Sequence, residues 1–295
     1  MNQKLFALLL IGFLTGCVKT PVNVASPSSE VIIYAVGDIA ECRDKPAAEA
    51  PANLTANFLR QTQGTILALG DIAYPKGREI DFSSCFQPIW GDLKPRMLPV
   101  PGNHEYLTDS AAPYYAYFGT VAGSPGKGYY STRIGAWRII ALNSNIDTQT
   151  GSEQERWLRS ELAADKTKCT LAFWHHPLFA SSPRGNNPKM QNIWQTLYEN
   201  GVDVVLNGHE HQYERFAPQT PAGEQDSTRG VRQFIVGTGG AMSNRFAEIK
   251  PNSEARATAL LGVIELTLRE DSYAWKFIPV AGQTFQDSGE GRCHD

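Results

Sequence analysis

The sequence predicts a single-domain α/β fold, and three observations lead to this class. Short apolar runs rich in β-branched residues recur along the 295 residues, as buried strands do. Stretches with helical periodicity separate several of these runs. Hydrophobic residues make up 42% of the chain and charged residues 19%, which is enough apolar material for one large core and argues against general disorder.

Eight apolar runs define the predicted strands, and most are bounded by Gly, Pro or polar residues. They cover residues 31–36, 66–69, 137–142, 170–174, 204–206, 234–236, 263–268 and 273–278. The last strands have few helical residues between them, which indicates a second sheet in addition to the one built by the earlier strands.

Two helices have recognisable beginnings. Ser152 is followed three residues later by Glu155, the capping-box spacing, and Pro188 suits the first turn of a second helix. The segments 83–128 and 217–232 are rich in Pro, Gly and aromatic residues, and we expect them to be long loops with a functional role.

The charge balance excludes one class of function. Lys and Arg total 27 and Asp and Glu total 30, giving a net charge of -3, so there is no basic excess to neutralise a nucleic acid. We therefore expect no nucleic-acid partner, and nothing in the sequence indicates an obligate protein partner.

The N-terminus has the features of an export signal. Lys4 precedes ten uncharged residues, LFALLLIGFL, which are too few to span a bilayer as a helix. The following Leu-Thr-Gly-Cys resembles a bacterial lipobox, in which Cys17 is lipidated after residues 1–16 are removed. An ordinary signal peptide is the alternative. The chain is thus expected to be anchored by lipid to the bacterial envelope, and Val18 in place of Asp favours the outer membrane of a Gram-negative cell.

Residues 17–30 are rich in Pro and Ser and suggest a flexible tether to a domain at 31–295. Four cysteines remain in the exported chain, an even number that suggests two disulfides. Three pairings are possible. We favour Cys42 with Cys85, since each follows a Gly-Asp motif, which leaves Cys169 with Cys293; buried free thiols are the alternative.

Polar motifs follow the ends of five apolar segments. They are GD at 37–38, GDIAY at 70–74, GNHE at 102–105, WHHP at 174–177 and NGHEH at 207–211. In α/β sheets the carboxyl ends of strands are where ligands bind. Five of the six histidines lie in these motifs, and His294 is the exception, for which we expect an exposed surface position. Asp, Asn, Tyr and His without Cys indicate oxygen and nitrogen ligands for metal ions.

This series of motifs resembles that of the calcineurin-like metallophosphoesterases. The Tyr in GDIAY and the sequence GHEHQYER resemble the purple acid phosphatase branch in particular. The resemblance runs from about residue 31 to 240. It implies a four-layer fold, in which helices flank a sandwich of two β-sheets, with a binuclear metal site in a single catalytic domain.

The resemblance implies a role for each motif residue. Asp38, Tyr74 and His211 would bind the first metal, and Asn103, His175 and His209 the second, with Asp71 bridging both. The anionic first set suits Fe(III), and the second suits divalent Fe, Zn or Mn.

Three further residues lie within or shortly after these motifs. His104 would meet the leaving oxygen as donor or general acid; a structural residue behind the ligands is the alternative. His176 is expected to point away from the site if the chain is extended there. Arg184 stands where purple acid phosphatases have another His, and it either binds phosphate through its fork of donors or is simply solvated.

Together these features predict a phosphatase that hydrolyses small phosphate monoesters by in-line attack of a metal-bound hydroxide. One alternative is a phosphodiesterase or nucleotide hydrolase built on the same site, because the loops and not the metals choose the ester. The other is a non-catalytic surface lipoprotein that retains the fold.

Overall fold

The structure is a computed structural model that describes residues 1, 30–165, 167–241, 245–280 and 282–294. The expected signal sequence, the lipidation at Cys17 and almost all of the tether lie outside these residues, so they stay predictions. Within the described residues, no helix has the length and apolar character needed to cross a membrane.

Two mixed sheets form the centre of the molecule. Their strands are β1 Val31–Val36, β2 Thr65–Ala68, β3 Met97–Pro99, β4 Tyr130–Ile134, β5 Trp137–Ala141, β6 Cys169–Trp174, β7 Val204–Asn207, β8 Tyr213–Phe216, β9 Arg232–Val236, β10 Ser253–Ala257, β11 Gly262–Leu268, β12 Ser272–Pro279 and β13 Ser288–Arg292. The first sheet has six strands in the order β13-β12-β11-β1-β2-β3, and the second has seven in the order β10-β8-β9-β7-β6-β5-β4. Strands β1 to β3 are parallel neighbours, as are β5, β6, β7 and β9.

The eight predicted strands are present, with ends that move by two residues at most. Five strands were not predicted. β4, β8 and β10 contain charged or other polar residues, β13 contains two glycines, and β3 is only three residues long.

Helices cover the outer faces of both sheets. The α-helices are α1 Ala52–Arg60, α2 Glu79–Asp81, α3 Gln87–Trp90, α4 Ala112–Phe118, α5 Glu153–Ala164 and α6 Gln191–Glu199. The side chain of Ser152 accepts from the backbone N–H of Glu155 at 3.2 Å and caps α5 as predicted. Pro188 lies in a short 3-10 turn, Pro188–Met190, that leads into α6.

The segment 83–128 corrects the expectation of a long loop. It contains α3, α4, the strand β3 and several 3-10 turns. Its aromatic side chains pack together and against the first sheet, as shown by Phe86 and Phe118 at 6.0 Å between ring centroids. Apolar packing therefore orders a segment that its Pro and Gly content marked as irregular.

Three apolar clusters separate the layers. Alternate residues of β1 face opposite ways: Ile33 and Ala35 pack between the two sheets, while Tyr34 and Val36 pack under α1. The outer face of the second sheet, which includes Ala172, packs against α5 and α6. This gives the predicted four layers, helix, sheet, sheet and helix.

The structure joins Cys42 to Cys85 and Cys169 to Cys293, the pairs favoured from the sequence. His294, beside the second disulfide, is not the exposed surface residue expected. Its backbone N–H donates to the buried carboxylate of Asp203 at 2.7 Å, and its ring lies 3.3 Å from the same carboxylate.

Candidate metal centre

The seven residues expected as metal ligands meet where parallel strands of the two sheets end. Each follows a strand by at most four residues, except Tyr74, which lies six residues after the end of β2. His211 lies between β7 and β8. Asp38 follows β1, Asp71 follows β2, Asn103 follows β3, His175 follows β6 and His209 follows β7.

Three of these seven residues have a strained backbone. Asp38, Asp71 and His209 have φ values of 59°, 49° and 70°, the left-handed region that side chains other than glycine seldom adopt. Such strain persists where surrounding contacts hold it, and it is concentrated at functional sites.

Two glycines allow the loops to approach closely. A Cβ on Gly70 would lie 2.6 Å from Nδ1 of His175, and a Cβ on Gly208 would lie 2.7 Å from Oδ2 of Asp38. The Gly-Asp and Gly-His motifs are therefore explained by contact between the ligand loops as well as by turn geometry.

The first group of side chains consists of Asp38, Tyr74 and His211. The Tyr74 hydroxyl lies 3.0 Å from Oδ1 of Asp38 and 3.1 Å from Nε2 of His211. His211 Nε2 in turn lies 3.2 Å from the same Asp38 oxygen. Three polar atoms thus converge on one point.

The second group consists of Asn103, His175 and His209. Nε2 of His175 lies 3.1 Å from Oδ1 of Asn103 and 3.2 Å from Nδ1 of His209. Nδ1 of His175 lies 2.8 Å from the carbonyl oxygen of Leu69, which can only accept. Nδ1 therefore carries a proton, and Nε2 is the atom free to bind a metal.

Asp71 connects the two groups and is almost fully buried. Its Oδ2 lies 3.2 Å from the Tyr74 hydroxyl and 3.2 Å from Nε2 of His175. Burial works against charge on both partners, yet His175 lowers the pKa of Asp71 and Asp71 raises the pKa of His175 to about 9. Burial and the carboxylates of Asp38 and Asp71 raise the pKa of Tyr74 well above its ordinary value. His175 and Tyr74 therefore hold their protons more strongly than usual, whereas Asp71 loses its proton more readily.

His104 lies at the edge of this centre. Its ring packs on Tyr74 at 4.3 Å between centroids, and its Nδ1 lies 2.6 Å from the carbonyl oxygen of Pro75. Nδ1 is therefore the donor in that bond. Nε2 lies 3.7 Å from Oδ2 of Asp71 and is the atom that can exchange a proton with a bound molecule.

Arg184 is linked to the centre by an ion pair with Glu210. Its guanidinium donates to Oε2 of Glu210 at 3.1 Å, while more than half of the Arg184 side chain stays exposed. Glu210 itself is buried, and its Oε1 lies 3.9 Å from Nε2 of His209.

His176 corrects an expectation from the sequence. An extended chain would have turned it away from His175, but β6 ends at Trp174 and the chain bends there. The His176 ring instead lies 4.4 Å from that of His209. His175, His176 and His209 each place one nitrogen within 4.8 Å of the others. Ser144, from the loop after β5, contacts Nδ1 of His176 at 2.8 Å.

Sequence reasoning gave Ser144 and Glu105 no role. Glu105 is fully buried and accepts backbone N–H bonds from Ile72, Ala73 and Gly102 at 2.9, 3.1 and 2.7 Å. It thus ties the loop after β2 to the loop after β3. Burial and the charge of Asp71 raise its pKa to about 7. The available signals were a polar residue soon after a predicted strand end for Ser144 and an acidic residue beside the Asn-His pair for Glu105.

Replacing Glu105 by Ala should reduce the free energy of unfolding by about 3 kcal/mol, because three buried N–H groups lose their acceptor. Urea denaturation of the metal-free protein measures this change. Glu49→Ala, at an exposed position, is the matched control and should change stability by less than about 0.5 kcal/mol. Equal stability of both variants would show that Glu105 does not hold the two loops together.

A two-sheet sandwich with oxygen and nitrogen donors gathered at its strand ends is the architecture of a metal-dependent phosphoesterase. The family model for calcineurin-like phosphoesterase matches residues 32–213, and the chain belongs to that family.

The relatives of the chain include purple acid phosphatases. It is 28% identical to purple acid phosphatase 15 of Arabidopsis thaliana over 229 residues, which are 65% of this chain and 42% of that protein. It is 24% identical to the probable inactive purple acid phosphatase 1 of the same plant, over 83% of this chain and 45% of that protein. The chain therefore spans less than half the length of these curated relatives.

A purple acid phosphatase from yellow lupin (Lupinus luteus) seeds, PPD1, has the same fold. The TM-score is 0.73 at 20% identity, over 89% of this chain and 54% of that one. This similarity confirms the predicted pair of sheets flanked by helices.

Proposed function

We propose that the protein is a binuclear metal-dependent phosphatase that hydrolyses phosphate monoesters. The observation that carries this proposal is the position of Asp71, whose Oδ2 is shared between Tyr74 of the first group and His175 of the second. One carboxylate between two donor groups is what a pair of adjacent cations requires.

The donor atoms fit metal ions in type and spacing. Ligands about 2.1 Å from one ion and at roughly right or tetrahedral angles lie about 3.0–3.4 Å apart. The contacts within each group are 3.0–3.2 Å. Asp38, Tyr74 and His211 would hold one ion and Asn103, His175 and His209 the other, with Asp71 common to both.

The two ions, when bound, would neutralise the anionic ester and lower the pKa of a water so that it attacks phosphorus near neutral pH. The protein's own groups orient this chemistry. Leu69 fixes the proton of His175 on Nδ1, and the backbone N–H of His209 donates to Asp38 Oδ2 at 2.8 Å, which sets the direction of that carboxylate.

We propose Fe(III) in the first position, because an anionic oxygen ligand such as the phenolate of Tyr74 suits a trivalent ion. The iron-loaded protein should therefore show a visible charge-transfer band that Tyr74→Phe removes. A visible absorption spectrum with metal analysis provides the test. An active wild-type protein that is colourless and free of iron would contradict this metal and point to Zn or Mn in both positions.

Arg184 would bind a phosphate oxygen at the edge of the centre. Its ion pair with buried Glu210 anchors one side of the guanidinium, and its exposed remainder can face an anion. A guanidinium is a cationic donor and not an acid, so Arg184 would attract the substrate without delivering a proton.

The direct test is hydrolysis of 4-nitrophenyl phosphate, bis-4-nitrophenyl phosphate and a nucleotide by the metal-loaded protein. We expect the monoester to be the best substrate. Faster cleavage of the diester or nucleotide would favour the alternative esterase. Binding of metal without hydrolysis would favour a non-catalytic role, as the name of the probable inactive relative suggests for that protein.

His104→Gln should lower kcat about 100-fold or more for an alkyl phosphate, whose leaving oxygen needs a proton. The loss should be much smaller for 4-nitrophenyl phosphate, whose leaving group departs readily as an anion. Steady-state kinetics on both esters, with His294→Gln as control, measures the difference. Equal losses on the two esters would mean that His104 positions other groups and donates no proton.

We also propose that the chain is exported and held at the envelope by a lipid on Cys17. The lipobox-like sequence supports this proposal. Metabolic labelling with a radioactive fatty acid, lost in Cys17→Ser, is the test.

A further inference from the structure

The ring of His176 lies beside His209, which belongs to the second group of side chains. His176 is nevertheless not one of the proposed metal ligands. Its ring centroid lies 4.4 Å from that of His209 and 4.9 Å from that of His175. The side chain is partly exposed, whereas that of His175 is fully buried. His176 is therefore placed where a bound molecule could reach it.

Ser144 fixes which nitrogen of His176 carries the proton. The Ser144 hydroxyl oxygen accepts from the backbone N–H of His176 at 3.1 Å and lies 2.8 Å from its Nδ1. Ser144 is fully buried, so its hydroxyl proton needs an acceptor inside the protein. Among the contacts of the described residues, Nδ1 of His176 is the acceptor within reach. The hydroxyl thus donates to Nδ1, and the ring proton resides on Nε2.

Hydrogen bonds also hold the backbone of His176. The indole N–H of Trp174 donates to the carbonyl oxygen of His176 at 2.7 Å, while Ser144 holds the N–H of the same residue. These two bonds maintain the bend after β6 that turns the imidazole into the centre.

An imidazole with its proton on Nε2 has no lone pair there to offer a cation, but it can donate to an anionic oxygen. We propose that His176 donates this hydrogen bond to a non-bridging phosphate oxygen of the substrate, on the side of the centre formed by His175 and His209. The inference rests on the proposed phosphatase function and deepens it. It gives the enzyme a substrate-binding imidazole in addition to His104, which lies against Tyr74 on the other side.

The test combines phosphate affinity with metal content. In metal-loaded His176→Phe, the inhibition constant of inorganic phosphate and KM for 4-nitrophenyl phosphate should both rise about 10- to 100-fold, the loss of one charge-assisted hydrogen bond. The change in kcat should be small, and the protein should still bind two metal ions. His176→Gln retains an N–H donor and should recover part of the affinity. Ser144→Ala should give an intermediate loss, because the ring proton is then no longer confined to Nε2.

The outcomes separate this inference from the proposal on which it rests. Unchanged phosphate affinity in both His176 variants would overturn the inference while the phosphatase stands. Loss of one metal ion from both variants, with normal phosphate affinity restored by excess metal, would overturn it in favour of a ligand role. A wild-type protein that binds no metal and hydrolyses no ester would remove the proposed function and the inference with it.

Discussion

Replacing Asp71 should abolish phosphatase activity more completely than any other single substitution in the centre. Asp71→Asn is expected to lower kcat/KM for 4-nitrophenyl phosphate by at least about 1,000-fold. The carboxylate is shared by both donor groups, so its loss weakens both metal positions at once. Enzyme kinetics and the number of metal ions bound per chain are the two measurements.

Asp71→Asn is preferable to Asp71→Ala as the main variant. The backbone of Asp71 has a φ of 49°, a conformation that Asn tolerates better than Ala, so the Asn variant separates loss of charge from loss of fold. Asp109→Ala, an exposed carboxylate on the loop after the GNHE motif, is the control and should retain full activity. Full activity in Asp71→Asn would disprove the shared-carboxylate centre.

The second large effect concerns stability. Removing the Cys169–Cys293 disulfide as a double Ala variant should lower the free energy of unfolding by about 3–5 kcal/mol, since the bond links residues 124 apart and restricts the unfolded chain. The Cys42–Cys85 bond spans 43 residues, and on chain entropy alone its removal should cost about 1 kcal/mol less. Urea denaturation of the oxidised proteins compares the two losses.

The variant that lacks the Cys42–Cys85 bond is the matched control, because it also replaces two cysteines by alanine. Of the four cysteines, Cys85, Cys169 and Cys293 are buried. A larger loss for the shorter loop would show that local packing around Cys85, and not chain entropy, determines the difference. No loss in either variant would mean that neither bond restricts the unfolded chain.

Most of the strands that could be predicted are buried on both faces. β6, for example, is buried throughout, and the predicted strand differs from it by one residue. β10 and β13 were not predicted, because each alternates partly buried with exposed residues and gains its strand conformation by pairing with β8 and β12. The local sequence of β10 and β13 does not indicate which strands they pair with.

The segment 83–128 illustrates the same physics for helices. Its Pro and Gly residues indicated loop, but its aromatic residues bury against the first sheet and each other. Tertiary packing here outweighs local preference. The free energy gained by burying several large rings exceeds the entropy cost of ordering a short irregular chain.

The sequence by itself determined the ligand types of the candidate centre and their order along the chain, because a Gly turn and a polar residue after a buried strand must lie at the sheet edge. It also favoured the disulfide pairs that the structure contains. Only the tertiary structure decided which side chains next to those ligands enter the centre. His176 turns inward, Ser144 fixes its proton, and Glu105 ties two loops together. The positions of His176 and Glu105 depend largely on contacts with residues more than thirty positions away, and no local pattern in the sequence encodes those contacts.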